Sequence, residues 1–161
     1  MRLRIAAAAL AIGLCTAGVA QADEVPPEFQ NRPTPANCYN AVPTIVGAGF
    51  IAGGPGPDVI VGSNGPDTIF GLGGNDIILG LGADDTIFGG EGNDLVCAGW
   101  GPDNVQGGDG HDTVYGEVGD DDMLGGDGMD LLSGDANFDR GDGQLGFDFC
   151  PASTEVTVSC V

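Results

Sequence analysis

The sequence has 161 residues, 24 Asp and Glu against 4 Lys and Arg, and a formal net charge of −20. A chain this acidic is poorly suited to nucleic acid or to an anionic membrane surface. It contains no Lys, which excludes a Walker-type phosphate loop, a Schiff-base enzyme and a Lys general base.

Residues 1–22 read as a secretory signal peptide. Met1 to Arg4 is basic, Ile5 to Leu14 is apolar, and Ala20-Gln21-Ala22 is an A-x-A cleavage site. The apolar run is too short, and too interrupted by Gly13, for a spanning helix. Cleavage would leave a chain starting at Asp23, with Arg32 and Arg140 as its basic residues and a net charge of 2 − 24 = −22. The expected location is secreted, extracellular, with no membrane insertion. Residues 23–43 form a lead-in with Pro26, Pro27, Pro33, Pro35 and Pro43. Proline fixes φ and removes backbone donors, so an extended linker is predicted.

From Gly53 to Pro151 the chain repeats every nine residues, eleven times, without insertion or deletion. The first position is Gly in ten units (Ala98 is the exception), and the fourth is Gly in nine (Ala83 and Asn137 differ). The sixth is Asp in all eleven: Asp58, Asp67, Asp76, Asp85, Asp94, Asp103, Asp112, Asp121, Asp130, Asp139 and Asp148. The eighth is apolar in ten, with Gly141 the exception. Ahead of the repeat, Thr44 to Ala52 has Gly49 at the Asp position and Ile51 at the apolar one. It reads as a degenerate first unit that caps the stack, since a terminal repeat lacks an outer neighbour.

Each unit divides into a six-residue turn and a three-residue strand. Gly at positions one and four would allow the positive φ that tight turns need. The middle strand residue points inward, which places Ile60, Ile69, Ile78, Ile87, Val96, Val105, Val114, Met123 and Leu132 in one core column. Successive strands lie on opposite walls, and two units make one coil. With coils about 4.8 Å apart, five and a half of them form a prism roughly 25 Å long. The odd-numbered units show Val59, Val61, Ile77, Leu79, Leu95 and Cys97 on their outer face; the even ones show Thr68, Phe70, Thr86, Phe88, Asn104 and Gln106. Such an apolar patch calls for a cover. The segment around Cys38 to Val46 is the predicted cover, with a cell-surface or protein partner on the odd face as the rival. Residues 135–142 depart from the pattern, and Thr154 to Ser159 alternates like a closing strand.

Four Cys remain after cleavage: Cys38, Cys97, Cys150 and Cys160. An even number in an exported chain points to two disulfides. Cys150–Cys160 would close a short terminal loop, and Cys38–Cys97 would pin the cover to the edge of the apolar patch.

The repeat follows the G-G-x-G-x-D-x-U-x pattern, and in it the chain resembles the RTX family of hemolysin-type calcium-binding repeats, over about 99 of 161 residues. The resemblance implies an all-β fold, a right-handed parallel β-roll of about five to six coils with disulfide-tied caps, loaded with Ca2+. Calcium takes six to eight oxygens, more than one turn offers, so each site is shared between stacked turns. One edge pairs Asp58/Asp76, Asp76/Asp94, Asp94/Asp112, Asp112/Asp130 and Asp130/Asp148; the other pairs Asp67/Asp85, Asp85/Asp103, Asp103/Asp121 and Asp121/Asp139. By analogy with the family, backbone carbonyls of the Gly-rich turns complete each site, and about seven to nine ions are expected. The plainer alternative, Asp as a turn cap, would not demand Asp rather than Asn or Ser eleven times running. Elsewhere in the family such repeats accompany toxins, proteases, lipases or adhesins. No such activity is carried over, and the expected function is a secreted calcium-binding protein that folds on binding the ion, not an enzyme.

Weaker signals remain. His111 sits in a variable turn slot with no G-x-S-x-G nearby, so catalysis there is disfavoured. Asp84-Asp85 and Asp120-Asp121-Asp122 could pass for acid pairs, yet the register makes Asp85 and Asp121 the ligands and the others exposed neighbours. Asp135-x-Asn137-x-Asp139 lacks the Gly and distal Glu of an EF-hand. Arg140-Gly141-Asp142 spells an integrin tripeptide in a unit expected to protrude. With Trp100 and the odd face, it supports an alternative adhesion or surface-interaction role. An ice-binding roll ranks lower, because the outward Thr68 and Thr86 give way to Asn104, Asp122 and Arg140.

Overall fold

The computed structural model describes residues 38, 41–151, 156–158 and 160. The expected signal peptide, most of the Pro-rich lead-in and part of the closing segment lie outside the described residues. The strands are β1 (Ile45–Val46), β2 (Phe50–Ala52), β3 (Val59–Val61), β4 (Thr68–Gly73), β5 (Ile77–Gly82), β6 (Thr86–Glu91), β7 (Leu95–Trp100), β8 (Asn104–Gly110), β9 (Thr113–Val118), β10 (Asp122–Gly128), β11 (Leu131–Ala136), β12 (Arg140–Gly146) and β13 (Val156–Val158). Odd-numbered strands from β1 to β11 form one sheet; β2 to β12 by even numbers, closed by β13, form the other. Together they make a parallel β-solenoid of about six turns.

The pairing offset is eighteen residues. Ile69 pairs Ile87 and Ile87 pairs Val105 on one wall; Ile78 pairs Val96 and Val96 pairs Val114 on the other. The eighth column therefore stacks into one core running from Ile51 to Leu132, with every member at most 4% exposed. Ala98 adds a buried methyl, and Cys150 packs against the end. The core is a single file of side chains between two walls.

β4 to β12 run six or seven residues, longer than the three-residue strands expected. Pairing skips position one and resumes at positions two and three, as in Leu72↔Gly90 and Gly73↔Glu91. Position two achieves this in a left-handed conformation, seen at Leu72 (φ 78°), Leu81 (82°), Glu117 (74°), Asp135 (69°) and Gln144 (68°). Positive φ thus falls at positions two and four, not at one and four. Where position one is Gly, close approach is the reason, although the unit of Ala98 accommodates a methyl. A Cβ on Gly71, Gly80 or Gly89 would stand 2.3–2.4 Å from the carbonyl oxygen eighteen residues on, and 2.4–2.5 Å from Oδ2 of the Asp in the same unit.

The first coil is three residues short. β2 keeps the eighteen-residue offset (Ile51↔Ile69), whereas β1 pairs at fifteen (Ile45↔Ile60). Residues 44–52 therefore supply a strand to each sheet. At the other end β13 pairs with β12, and Cys160 bridges to Asp148.

Both disulfides are present, Cys38–Cys97 with Cα atoms 6.5 Å apart and Cys150–Cys160 with 5.7 Å. Cys38, Leu79, Leu81 and Cys97 form a second buried cluster on the odd face, flanked by Val61, Ile77, Leu95 and Tyr115. The cover is narrower than expected. Cys38 lies in it, but Val42 is 84% exposed and Ile45–Val46 lengthens the sheet instead of lying over it. On the even face Phe70 and Phe88 stack with centroids 4.8 Å apart, and Phe50 tilts against Phe70.

Because the core is one residue wide, each column member carries a large share of the packing. Ile87→Ala is expected to cost about 2–5 kcal/mol of unfolding free energy in calcium, read from urea denaturation. Asn104→Ala on the outer face should cost about 0.5 kcal/mol or less. Equal losses from the two would contradict a single-file core.

Candidate metal centre

The eleven repeat Asp residues lie in two stacked rows, one along each edge of the solenoid. Successive members are joined directly. The backbone N–H of Asp58 donates to Oδ1 of Asp76 (2.8 Å), Asp76 to Asp94 (2.8 Å), Asp94 to Asp112 (2.8 Å), Asp112 to Asp130 (2.9 Å) and Asp130 to Asp148 (3.0 Å). Along the other edge Asp67 donates to Asp85 (2.9 Å), Asp85 to Asp103 (2.8 Å), Asp103 to Asp121 (2.9 Å) and Asp121 to Asp139 (3.0 Å). Every pair named from the repeat is thus a neighbouring pair in space. The rows continue through the irregular last units, where Asp139 and Asp148 are 0% exposed.

The second carboxylate oxygen divides the rows. Oδ2 of Asp58 accepts the N–H of Gly54 (2.8 Å), and Oδ2 of Asp67 accepts that of Ser63 (2.6 Å). From the second coil on, Oδ2 is buried without a hydrogen-bond partner at Asp76, Asp85, Asp94, Asp103, Asp112, Asp121, Asp130 and Asp148. The change coincides with the left-handed turn at position two, which begins at Leu72 and is absent at Gly54 and Ser63.

A backbone carbonyl faces the same place. The point that a Cβ on Gly89 would take lies 2.4 Å from both Asp94 Oδ2 and the Gly107 carbonyl oxygen; at Gly80 it lies 2.5 Å from Asp85 Oδ2 and 2.3 Å from the Ala98 oxygen. Two acceptors converge on one bare Cα with no donor between them. Oxygen-only surroundings of this kind suit a hard cation. Among the described residues no three His, Cys, Asp or Glu side chains gather around one point, so an ion here must draw on backbone carbonyls as well as on the Asp pair.

Electrostatics reflects the same crowding. Burial pushes the carboxyl of Asp94 up to about 6, those of Asp85, Asp112 and Asp121 to about 7, and that of Asp103 to about 8. Asp76 and Asp130 are raised as well. In each case the N–H of the preceding Asp pulls the other way, and nearby carboxylates add to the rise.

The rows have N-terminal ends that the repeat did not reveal. The Thr44 hydroxyl donates to Asp58 Oδ1 (3.0 Å) and accepts the Val59 N–H (2.9 Å). The Gly49 N–H donates to Asp67 Oδ1. Thr44 stands fourteen residues before Asp58, so no eighteen-residue register finds it.

The weaker candidates resolve into structure. His111 belongs to a row of fifth-position acceptors: Asn75 Oδ1 accepts the Asn93 N–H, Asn93 Oδ1 accepts that of His111, and His111 Nδ1 accepts that of Met129 (2.9 Å). On the other edge Asp120 Oδ1 accepts the Phe138 N–H, while Asp84 is exposed. Asp135 is held by the Ser133 hydroxyl at 2.7 Å. Arg140-Gly141-Asp142 does not form a protruding loop. It lies in β12, with Arg140 paired to Asp122 (2.6 Å) and Asp142 (3.7 Å). Trp100 ends β7, 40% exposed.

A family model described as the RTX calcium-binding nonapeptide repeat matches four times, at residues 52–86, 61–96, 70–105 and 98–132. The matches together span residues 52–132, half of the chain. No curated protein and no solved structure matches it.

The raised carboxyls set the pH behaviour of the protein stripped of metal. A folded-state pKa above the ordinary Asp value of 3.8 means that stability from these groups is fully present below about pH 4. It is lost as pH rises through about 6 to 8. Urea midpoints of the stripped protein should fall steadily between pH 4 and pH 8; a midpoint flat across that window would refute the assignment.

Proposed function

The chain belongs to the RTX calcium-binding nonapeptide-repeat family, and from that premise we propose that it is a secreted calcium-binding protein whose repeats complete their fold on binding extracellular calcium. The observation that carries the proposal is the row of buried Oδ2 atoms without a donor, set against a carbonyl oxygen at Asp76, Asp85, Asp94, Asp112 and Asp130. If Asp served only to join one coil to the next, Asn would serve better. Its Oδ1 would accept the same N–H, and its amide would donate where two acceptors now meet. Asp at these positions makes sense when a cation fills the gap.

The residues that would hold the ions are those Asp, eighteen apart, whose Oδ2 atoms lack a donor, the first of them Asp76 and Asp85, with carbonyls of the Gly-rich turns. Calcium, when bound, supplies the positive charge that offsets the stacked carboxylates. The protein's own part is to fix the spacing through the Asp-to-Asp hydrogen bonds and to keep water from the Oδ2 atoms. Since the core is one side chain wide, metal-binding free energy becomes in large part folding free energy. The family is generally a structural repeat without catalytic function, and the role proposed here is ion binding without chemistry. Export is supported by the signal-like residues 1–22 and by two disulfides, which persist in oxidising compartments.

Circular dichroism of the chain from Asp23 onward, followed during calcium titration, tests the coupling. The β-sheet signal and melting temperature should rise together, with half-saturation on the order of 10⁻⁴–10⁻³ M. Spectra and melting unchanged by excess chelator would sink it. A second measurement separates ion site from structural cap: Asp94→Asn should stabilise the metal-free protein at pH 7 by about 1–3 kcal/mol while weakening calcium binding.

A further inference from the structure

The two rows of Asp are not uniform, and the difference assigns separate roles within them. Resting on the calcium reading above, we propose that Asp58 and Asp67 are structural caps and not calcium ligands. Occupancy begins at Asp76 and Asp85, which reduces the nine register pairs to seven.

Three features single out the first coil. Its Oδ2 atoms already hold protein donors, the N–H groups of Gly54 and Ser63, whereas at Asp76, Asp85, Asp94, Asp103, Asp112, Asp121, Asp130 and Asp148 the equivalent atoms are buried without one. Its Oδ1 atoms are occupied by segments outside the repeat, the Thr44 hydroxyl and the Gly49 N–H. Its position-two residues, Gly54 and Ser63, lack the left-handed φ that Leu72, Leu81 and later residues adopt.

The third feature explains the first. With position two in an ordinary conformation, its N–H turns onto the carboxylate four residues ahead and closes a local turn. In the left-handed conformation position two joins the strand ladder, as in Leu72↔Gly90, and Oδ2 loses that partner. A carboxylate whose two oxygens are both satisfied by N–H and O–H groups has less to gain from an ion, because binding must first break those bonds. The first coil would then stand without metal, as a preformed template against which the second coil's sites assemble.

The test compares ion counts by native mass spectrometry in saturating calcium, with thermal melting in chelator as a second readout. Asp58→Asn and Asp67→Asn should keep the wild-type ion count and lower the melting temperature of the metal-free protein. Asp94→Asn, a member of two pairs, should lose at least one ion. Loss of an ion from Asp58→Asn or Asp67→Asn overturns the assignment. Should those variants not fold in calcium, the wild-type count decides: eight or nine ions overturn it, and one to seven support it. A wild-type chain that binds no ion overturns the calcium reading itself, and this assignment with it.

Discussion

One hydrogen bond, repeated, organises this molecule: the N–H of each Asp donating to Oδ1 of the Asp eighteen residues later. It fixes the register between coils at the turns, where strand pairing alone would leave freedom. It also orients the carboxylate, so that the remaining oxygen faces the bare Cα of position one. Register and binding site are set by the same contact. A change that disturbs one must disturb the other.

The rest of the repeat follows from making room for that carboxylate. Position one is Gly in every unit but that of Ala98, and at Gly71, Gly80, Gly89, Gly107 and Gly125 a Cβ would crowd both Oδ2 and a carbonyl oxygen. Position two turns left-handed, which carries the strand through the turn and gives the walls six-residue ladders. Position eight points inward, and its Ile, Val, Met and Leu side chains, joined by Ala98, form the central core. The interior is then too thin to outweigh a double row of buried carboxylates, since burying charge without a partner is costly. The stability of the fold is tied to whatever neutralises those rows.

Much of this was legible in the sequence because a strict period exposes any column with one physical job. The Asp pairs, the core column and both disulfides follow from counting in nines and from asking which outer face needed a cover. What escaped was either aperiodic or hidden by side-chain variety. Position two is Gly at Gly90, Gly99, Gly108 and Gly126 but Leu, Glu, Asp or Gln in the other left-handed units, so the column is too mixed to reveal its left-handed backbone. Thr44 caps a row from a segment three residues out of step. Arg140-Gly141-Asp142 was expected to protrude because its unit departs from the repeat, yet the strand pairing of β12 persists through it. The Asn–His row at position five lay in plain view, but its meaning needed coils to be stacked before Asn75, Asn93 and His111 could be seen as one line of acceptors.

The alternation of units between two walls also constrains how the gene can grow or shrink. Removing or adding eighteen residues changes the length of the roll and leaves each wall's character intact. Removing nine between Cys38 and Cys97 would exchange the walls for everything downstream. Cys97 would move to the opposite wall, away from Cys38. Viable length variants of this chain should therefore differ by whole coils, a parity rule written into the placement of one cystine.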